Sequence, residues 1–233
     1  MRGPADDDEP ECDELRCARR LAATDGPAWT GIARRCITFG KDVRERIGEI
    51  PDVDVMEDEL LGTEASHDLD RLQVLLDVSA TGASGYQARD WLRRHHRIDV
   101  GLADHRRILA TLSFADDPRS TERLVDALAA WRDAAGSVDA PSQMRLPSPE
   151  ELQLETVMLP REAFFGPVEV VRRPRRQGAS RRSRSRRTRP GSGCGAGERL
   201  NGAVIEYLRS GVEAGMTLPD PADRQLKHIR VVA

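Results

Sequence analysis

The apolar positions change period along the chain, and the changes mark out elements. Val43, Ile47 and Ile50 recur at helical spacing and Pro51 follows, which predicts the end of a helix over Asp42 to Ile50. Val53 to Met56 reads as a short strand. Leu72 to Val78 reads as a longer one, whose near-continuous apolar run predicts burial on both faces. A glycine-rich turn from Thr81 to Gly85 then delivers Ser84, which with Gln87 predicts a capping box and a helix to about His95. Ala88, Trp91, Leu92 and His95 fall on one stripe of that helix. Arg97 to Val100 and Arg107 to Phe114 predict two more strands, the second alternating Ile108, Ala110, Leu112, Phe114. Asp117 as N-cap and Pro118 in the first helical position open a helix to about Ala135, with Leu124, Val125, Leu128 and Trp131 inward and Gly136 ending it. The order αββαββα over 41–136 predicts an α+β fold, helices on one face of a small, largely antiparallel sheet.

Beyond a linker at 139–149 the pattern thins. Ser148-Pro149-Glu150-Glu151 opens a short helix towards Met158, and Val168 to Val171 reads as a strand. Residues 172–197 are low complexity in Arg, Ser, Gly and Pro and predict a disordered insert. Leu200, Val204, Leu208 and Val212 then form a helix face ended by Gly215, and His228 to Val232 can add an edge strand. Residues 1–36 are polar, acidic from Asp6 to Glu9 and weakly periodic, which predicts disorder. The expected organisation is therefore 1–36 unstructured, 37–138 a small α+β domain, 139–149 a linker, and 150–233 a second domain interrupted at 172–197.

Composition adds what the pattern cannot. None of the 233 residues falls in an apolar run near the roughly 20 needed to span a bilayer, and Met1 is followed by no apolar stretch. The expectation is a cytoplasmic protein without membrane attachment. Cys12, Cys17, Cys36 and Cys194 show neither a CxxC pair nor zinc spacing, so reduced thiols and no metal site are expected. The net charge of −3 conceals a segregation, since Arg172 to Arg189 hold ten arginines and no acid. The remainder carries 26 basic residues against 39 acidic ones. Only Lys41 and Lys227 are lysines.

Each candidate constellation has a plainer reading beside it. Arg181 to Arg187 could grip phosphates by charge and guanidinium geometry, as an Arg-rich nucleic-acid-binding protein would. The missing aromatic interleaving and the acidic remainder weigh against it. His67, His95, His96, His105 and His228 match no metal-ligand spacing and read as core or surface histidines. Asp104-His105-Arg106-Arg107 could hold a carboxylate in a guanidinium fork, or be a charged turn before a strand. No GxSxG, P-loop or Rossmann glycine pattern is present.

Several segments, in order and spacing, resemble the post-catalytic part of the ornithine/lysine/arginine decarboxylases. They are Glu59-Leu-Leu-Gly62, His67-Asp-Leu-Asp70, Asp77-Val-Ser-Ala-Thr-Gly82, Ser84-Gly-Tyr-Gln-Ala88, Asp90-Trp-Leu92, Asp99-Val-Gly-Leu102 and Asp104 to Leu112. Leu159-Pro-Arg-Glu-Ala-Phe-Phe165, Gly197-Glu-Arg-Leu200 and Tyr207 to Gly215 continue the match. The resemblance covers about 37–171 and 197–233. It implies the aspartate-aminotransferase fold, with 41–136 as its small domain and 150–233 as the family's C-terminal domain. It also implies pyridoxal phosphate as cofactor, a basic amino acid as substrate, amine production in polyamine metabolism, and homo-oligomers. His105, Arg106, Arg107 and Glu198 are the residues it would place at the edge of a substrate site.

The departures are as informative. The family carries Pro-Tyr-Pro-Pro-Gly-Ile-Pro shortly before Pro-Gly-Glu, where this chain has the Arg/Ser block and Ala196-Gly197-Glu198. Codons permitted for Arg176 to Ser192 allow a shifted frame that restores Thr-Pro-Tyr-Pro-Pro-Gly-Ile, and codons permitted for Asp6 to Arg34 allow another family-like reading. The expectation is a decarboxylase fragment with out-of-frame stretches at about 2–36 and 173–196. The family's cofactor lysine sits in a Ser-x-His-Lys motif, which neither Lys41, after Phe39-Gly40, nor Lys227, before His228, provides. With no electron sink for the departing carboxylate, no catalytic or cofactor-binding residue is assigned and the chain alone is expected to be inactive. Two alternatives remain, the nucleic-acid binder and a small domain that complements a separately encoded cofactor domain.

Overall fold

The computed structural model describes residues 27–57, 59, 61, 68–172, 197–218 and 223–232. The chain divides into two compact units, 1–140 and 141–233. The expected disordered insert lies almost wholly outside the described residues, as do residues 1–26 and His67.

The first unit begins with helix α1, Pro27–Gly48. It starts ten residues before the domain boundary placed at 37, which corrects the expectation that all of 1–36 lacks structure. Proline suits a first helical position, where its missing N–H would have had no partner. Cys36, Gly40, Val43 and Ile47 then continue one buried stripe, so the helix has a packing face upstream of Asp42. Strands β1 (Asp54–Val55) and β2 (Gln73–Asp77) follow, then a 3-10 turn at Ser79–Thr81, helix α2 (Gly85–His96), β3 (Leu102–Ala103), β4 (Arg107–Thr111) and helix α3 (Pro118–Ala135). The sheet order is β1-β2-β4-β3 and every pairing is antiparallel.

Register decides the two faces of this sheet. Val74 and Leu76 of β2 pair with Ala110 and Ile108 of β4, and all four are buried beneath the helices. Val43 and Ile47 of α1, Leu92 of α2, and Leu124, Leu128 and Trp131 of α3 complete that core. The opposite face carries Gln73, Leu75 and Asp77 opposite Thr111, Leu109 and Arg107, and Leu102 of β3 beside Leu109. Leu75 and Leu109 are only half-buried, so the expected double burial of β2 does not hold: one layer of helices covers one face.

Two further expectations are corrected here. The strand placed at Arg97 to Val100 is absent, because Arg97 adopts a left-handed conformation (φ 55°) and caps α2, its N–H reaching the carbonyls of Arg93 and Leu92. The strand forms at Leu102–Ala103 instead. His95 points to solvent rather than into the stripe, its ring lying against Trp91 at 4.6 Å, and Phe114 is exposed beyond the end of β4. The capping boxes at Ser84/Gln87 and Asp117/Ser120 open α2 and α3 at their N-termini.

The second unit is built from helix α4 (Pro149–Leu152), β5 (Glu155–Thr156), α5 (Pro160–Phe165), β6 (Val168–Arg172), β7 (Glu198–Arg199), α6 (Gly202–Glu213) and β8 (His228–Val232). The short helix expected to run to Met158 stops at Leu152, and β5 takes up the following residues to pair with β7. Asn201 caps α6 through Val204 N–H at 2.9 Å and donates to the Glu151 carbonyl at 2.7 Å, tying α4 to α6. Leu200, Val204 and Leu208 bury against Leu154, Tyr207, Met216 and Leu226. β6 and β8 form a separate antiparallel pair, Val168 opposite Val232.

Candidate functional site

The richest polar arrangement in the first unit sits where β2 ends and the β3–β4 hairpin turns. Asp77 closes β2, and the antiparallel register sets it opposite Arg107, the first residue of β4. Asp104 shapes the hairpin turn: its carboxylate accepts the N–H groups of Arg106 at 2.7 Å and Arg107 at 2.6 Å. The Val78 N–H donates to the Arg106 carbonyl at 2.9 Å and locks the turn to the end of β2. Gly85 then brings the first turn of α2 against this hairpin. A Cβ there would lie 2.7 Å from the Asp104 carbonyl oxygen and closer still to that of Arg107, so only glycine permits the approach.

Asp77 is the electrostatic centre of the arrangement. Its carboxylate accepts the Ser79 N–H at 2.9 Å and the Ser79 hydroxyl at 2.6 Å. The Arg106 guanidinium lies at 3.0 Å and the Arg107 Nε at 3.7 Å from its other oxygen. Burial taken alone would raise its pKa. The two Ser79 hydrogen bonds, then the charges of Arg106 and Arg107, outweigh that and hold the carboxyl below its ordinary value. Arg107 Nε is buried with no hydrogen-bond partner among the described residues, while the side chain as a whole remains partly exposed. His105 stands at the turn, its Nδ1 4.0 Å from the Asp104 carboxylate. A guanidinium pair held from behind by a carboxylate is equipped to receive an anionic group such as a carboxylate.

Of the residues anticipated from the sequence, His105, Arg106 and Arg107 therefore share one hairpin. Glu198 lies in the second unit, on β7, where Thr156 faces it across the ladder. Gly197 precedes it at φ +92°, and a Cβ there would collide with the Met158 carbonyl. Asp77, Ser79 and Gly85 were not singled out from the sequence. Their signal was the register that pairs Asp77 with Arg107, which the hydrophobic pattern does not fix.

A second polar cluster lines an open groove of about 470 Å³ between α1 and β1. Its anchor is Arg44, whose side chain is 4% exposed. Arg44 donates to the carbonyls of Arg71 at 3.1 Å and Gln73 at 2.8 Å and to the Glu57 carboxylate at 3.0 Å. Lys41 borders this groove and is exposed, and Lys227 is exposed in the second unit. The groove presents neither an aromatic ring nor a hydroxyl to a planar phosphorylated cofactor, so its residues do not fit pyridoxal phosphate. Among the described residues no group of three potential metal ligands occurs, and no helix is long and apolar enough to cross a membrane.

No protein-family model matches the chain. Curated relatives do: an arginine decarboxylase of Bacillus anthracis is 30% identical over 223 residues, covering 94% of this chain and 44% of the relative. An arginine decarboxylase of Bacillus subtilis (strain 168) is 27% identical over 219 residues with the same coverage. The chain thus spans less than half the length of these relatives. Among solved structures, the Escherichia coli constitutive lysine decarboxylase superposes with a TM-score of 0.57 at 12% identity, over 88% of this chain and 41% of that one, a likeness of fold. In sequence and fold, the chain matches a fragment of the ornithine/lysine/arginine decarboxylase family.

Proposed function

We propose that this chain is a non-catalytic portion of a cytoplasmic decarboxylase of basic amino acids, with the 104–107 hairpin as its contribution to the edge of a substrate site. The similarity to arginine decarboxylases over 94% of the chain carries this reading. In it, Arg106 and Arg107 receive a carboxylate and Asp77 aligns them from behind, while Glu198 is a substrate-site candidate of the second unit taken by itself. Pyridoxal phosphate supplies such enzymes with the electron sink for decarboxylation. Among the described residues, Lys41 borders a groove with neither an aromatic ring nor a hydroxyl to hold it. The chain alone consequently releases no amine.

Incubating the purified chain with arginine, lysine or ornithine and added pyridoxal phosphate tests this directly, with evolved carbon dioxide and amine as readouts. Measurable turnover that follows the protein through purification would overturn the proposal. The out-of-frame reading of 2–36 and 173–196 belongs to the same proposal and is tested on the nucleotide sequence. Codons incompatible with the shifted frames would remove it.

A further inference from the structure

In the second unit β6 and β8 form an antiparallel pair, and among the described residues no third strand joins them. A two-stranded ribbon is marginal on its own and gains stability from further strands or from a covered apolar face. This one leaves apolar side chains in water instead. Val168 and Val170 lie on one face of β6 and are 47% and 58% exposed. Leu159, at the start of α5, and Phe165, at its end, are 64% and 77% exposed, and the Phe164 and Phe165 rings meet edge to face at 5.1 Å. The base beneath is ordered, since Ala163 of α5 and Ile229, Val231 and Val232 of β8 are buried. Gly166 fixes the corner between α5 and β6: a Cβ there would lie 2.8 Å from the Glu162 carbonyl and 3.3 Å from Val232. One edge of β6 has no strand beside it among the described residues, which leaves a row of backbone donors and acceptors open to pairing.

A contact about a two-fold axis needs a face that complements itself, because residue i of one copy must meet j of the other while j meets i. This face does so in three respects. A free strand edge pairs antiparallel with its own copy, since a two-fold axis perpendicular to the strand reverses its direction. The apolar side chains of one copy can cover those of the other. Arg161 and Glu169 are exposed, opposite in charge and without an ion-pair partner among the described residues, so each can meet the other across the axis. With Arg161 set against Glu162 and Glu169, the rim selects no strongly charged stranger. The area also fits. Together Leu159, Phe164, Phe165, Val168 and Val170 offer on the order of 500 Å² of apolar surface, at the upper end of what monomers expose. A standard interface takes about 800 Å² from each partner, and about two-thirds of it is apolar in homodimers.

We propose that α5 and β6 form a two-fold interface between two copies of this chain, with β6 of one copy pairing antiparallel with β6 of the other to make one four-stranded sheet. The contact goes beyond the decarboxylase reading and does not depend on it, because it rests on the surface of the second unit alone. Sedimentation equilibrium of the full chain reads the monomer–dimer constant, with a reductant present so that Cys12, Cys17, Cys36 and Cys194 form no cross-links. The expected result is a closed dimer whose dissociation constant rises about tenfold or more with Phe165→Asp and with Val170→Asp. Leu102→Asp, on an exposed strand of the first unit, should leave it unchanged. Arg161→Glu should weaken the dimer and the added change Glu169→Arg should restore it, a rescue that non-specific sticking would not show. All of these side chains are exposed, and circular dichroism checks that each variant keeps its fold. A monomer at every concentration, an open-ended series of larger species, a dimer indifferent to both patch variants, or a charge swap that restores nothing would overturn the proposal. Each of those results would leave the decarboxylase reading standing, since amine release tests that reading separately.

Discussion

Replacing Gly85 by alanine isolates the contact that holds α2 against the 104–107 hairpin. In an ordinary helix this change stabilises by up to about 1 kcal/mol, because alanine has the better helical propensity and a less flexible unfolded state. Here the added methyl would lie 2.7 Å from the Asp104 carbonyl and nearer still to that of Arg107. Both atoms are backbone, fixed by the Asp104 turn and by the β2–β4 ladder, so no side chain can rotate out of the way. Forced overpacking of this kind costs about 1–3 kcal/mol and more where the backbone must shift. The steric cost therefore exceeds the propensity gain, and Gly85→Ala should destabilise the first unit by about 2 kcal/mol. Gly136→Ala is the control: at φ −66° with nothing within 4 Å of its Cβ, it should be neutral or stabilise by a few tenths of a kcal/mol. Urea unfolding followed by tryptophan fluorescence reads this unit alone, since Trp29, Trp91 and Trp131 all precede residue 141. A midpoint for Gly85→Ala equal to that of Gly136→Ala would refute the close approach.

The same assay bears on three other positions. Trp131 is fully buried and its Nε1–H has no acceptor among the described residues, so Trp131→Phe should change stability by less than about 1 kcal/mol, whereas Trp131→Ala should cost about 3–5 kcal/mol. Arg44→Met strips three hydrogen bonds and an ion pair from a part-buried network and should cost about 3–5 kcal/mol. Arg44→Lys should recover only part of that, because one ammonium cannot reproduce the planar fork. Asp77→Asn should cost about 1–3 kcal/mol at neutral pH through the weakened Ser79 and Arg106 interactions. The folded-state pKa of Asp77 is lowered, so its stabilising contribution is present above the ordinary carboxyl value and is lost as pH falls through the lower folded one. The gap between wild type and Asp77→Asn should accordingly narrow below about pH 4. A gap that widens there would show the sign to be wrong.

What the sequence made legible was whatever local chemistry decides alone. Ser84 with Gln87 and Asp117 before Pro118 each fix a helix start through groups a few residues apart, whereas α1 ends at Gly48, two residues before the end that Pro51 predicts. The strand misplaced at Arg97 to Val100 failed because Arg97 turns left-handed to cap α2, a conformation that alternation does not reveal, and the ladder begins only at Leu102. The second unit was harder to read because β5 and β7 are two residues long, too short to carry a period, and lie more than forty residues apart. For the site, the cluster of charges from Asp104 to Arg107 could be seen as a string, but a string of charges is equally a solvated turn. What separates the two is Asp77, thirty residues upstream, buried where neither of its sequence neighbours predicts a partner. A shift of one residue in the β2–β4 register would send Asp77 to the helix-covered face and leave Arg106 and Arg107 without a carboxylate behind them. The apolar pairs Val74–Ala110 and Leu76–Ile108 prevent that shift, so the hydrophobic core of the sheet is also what orients its two arginines.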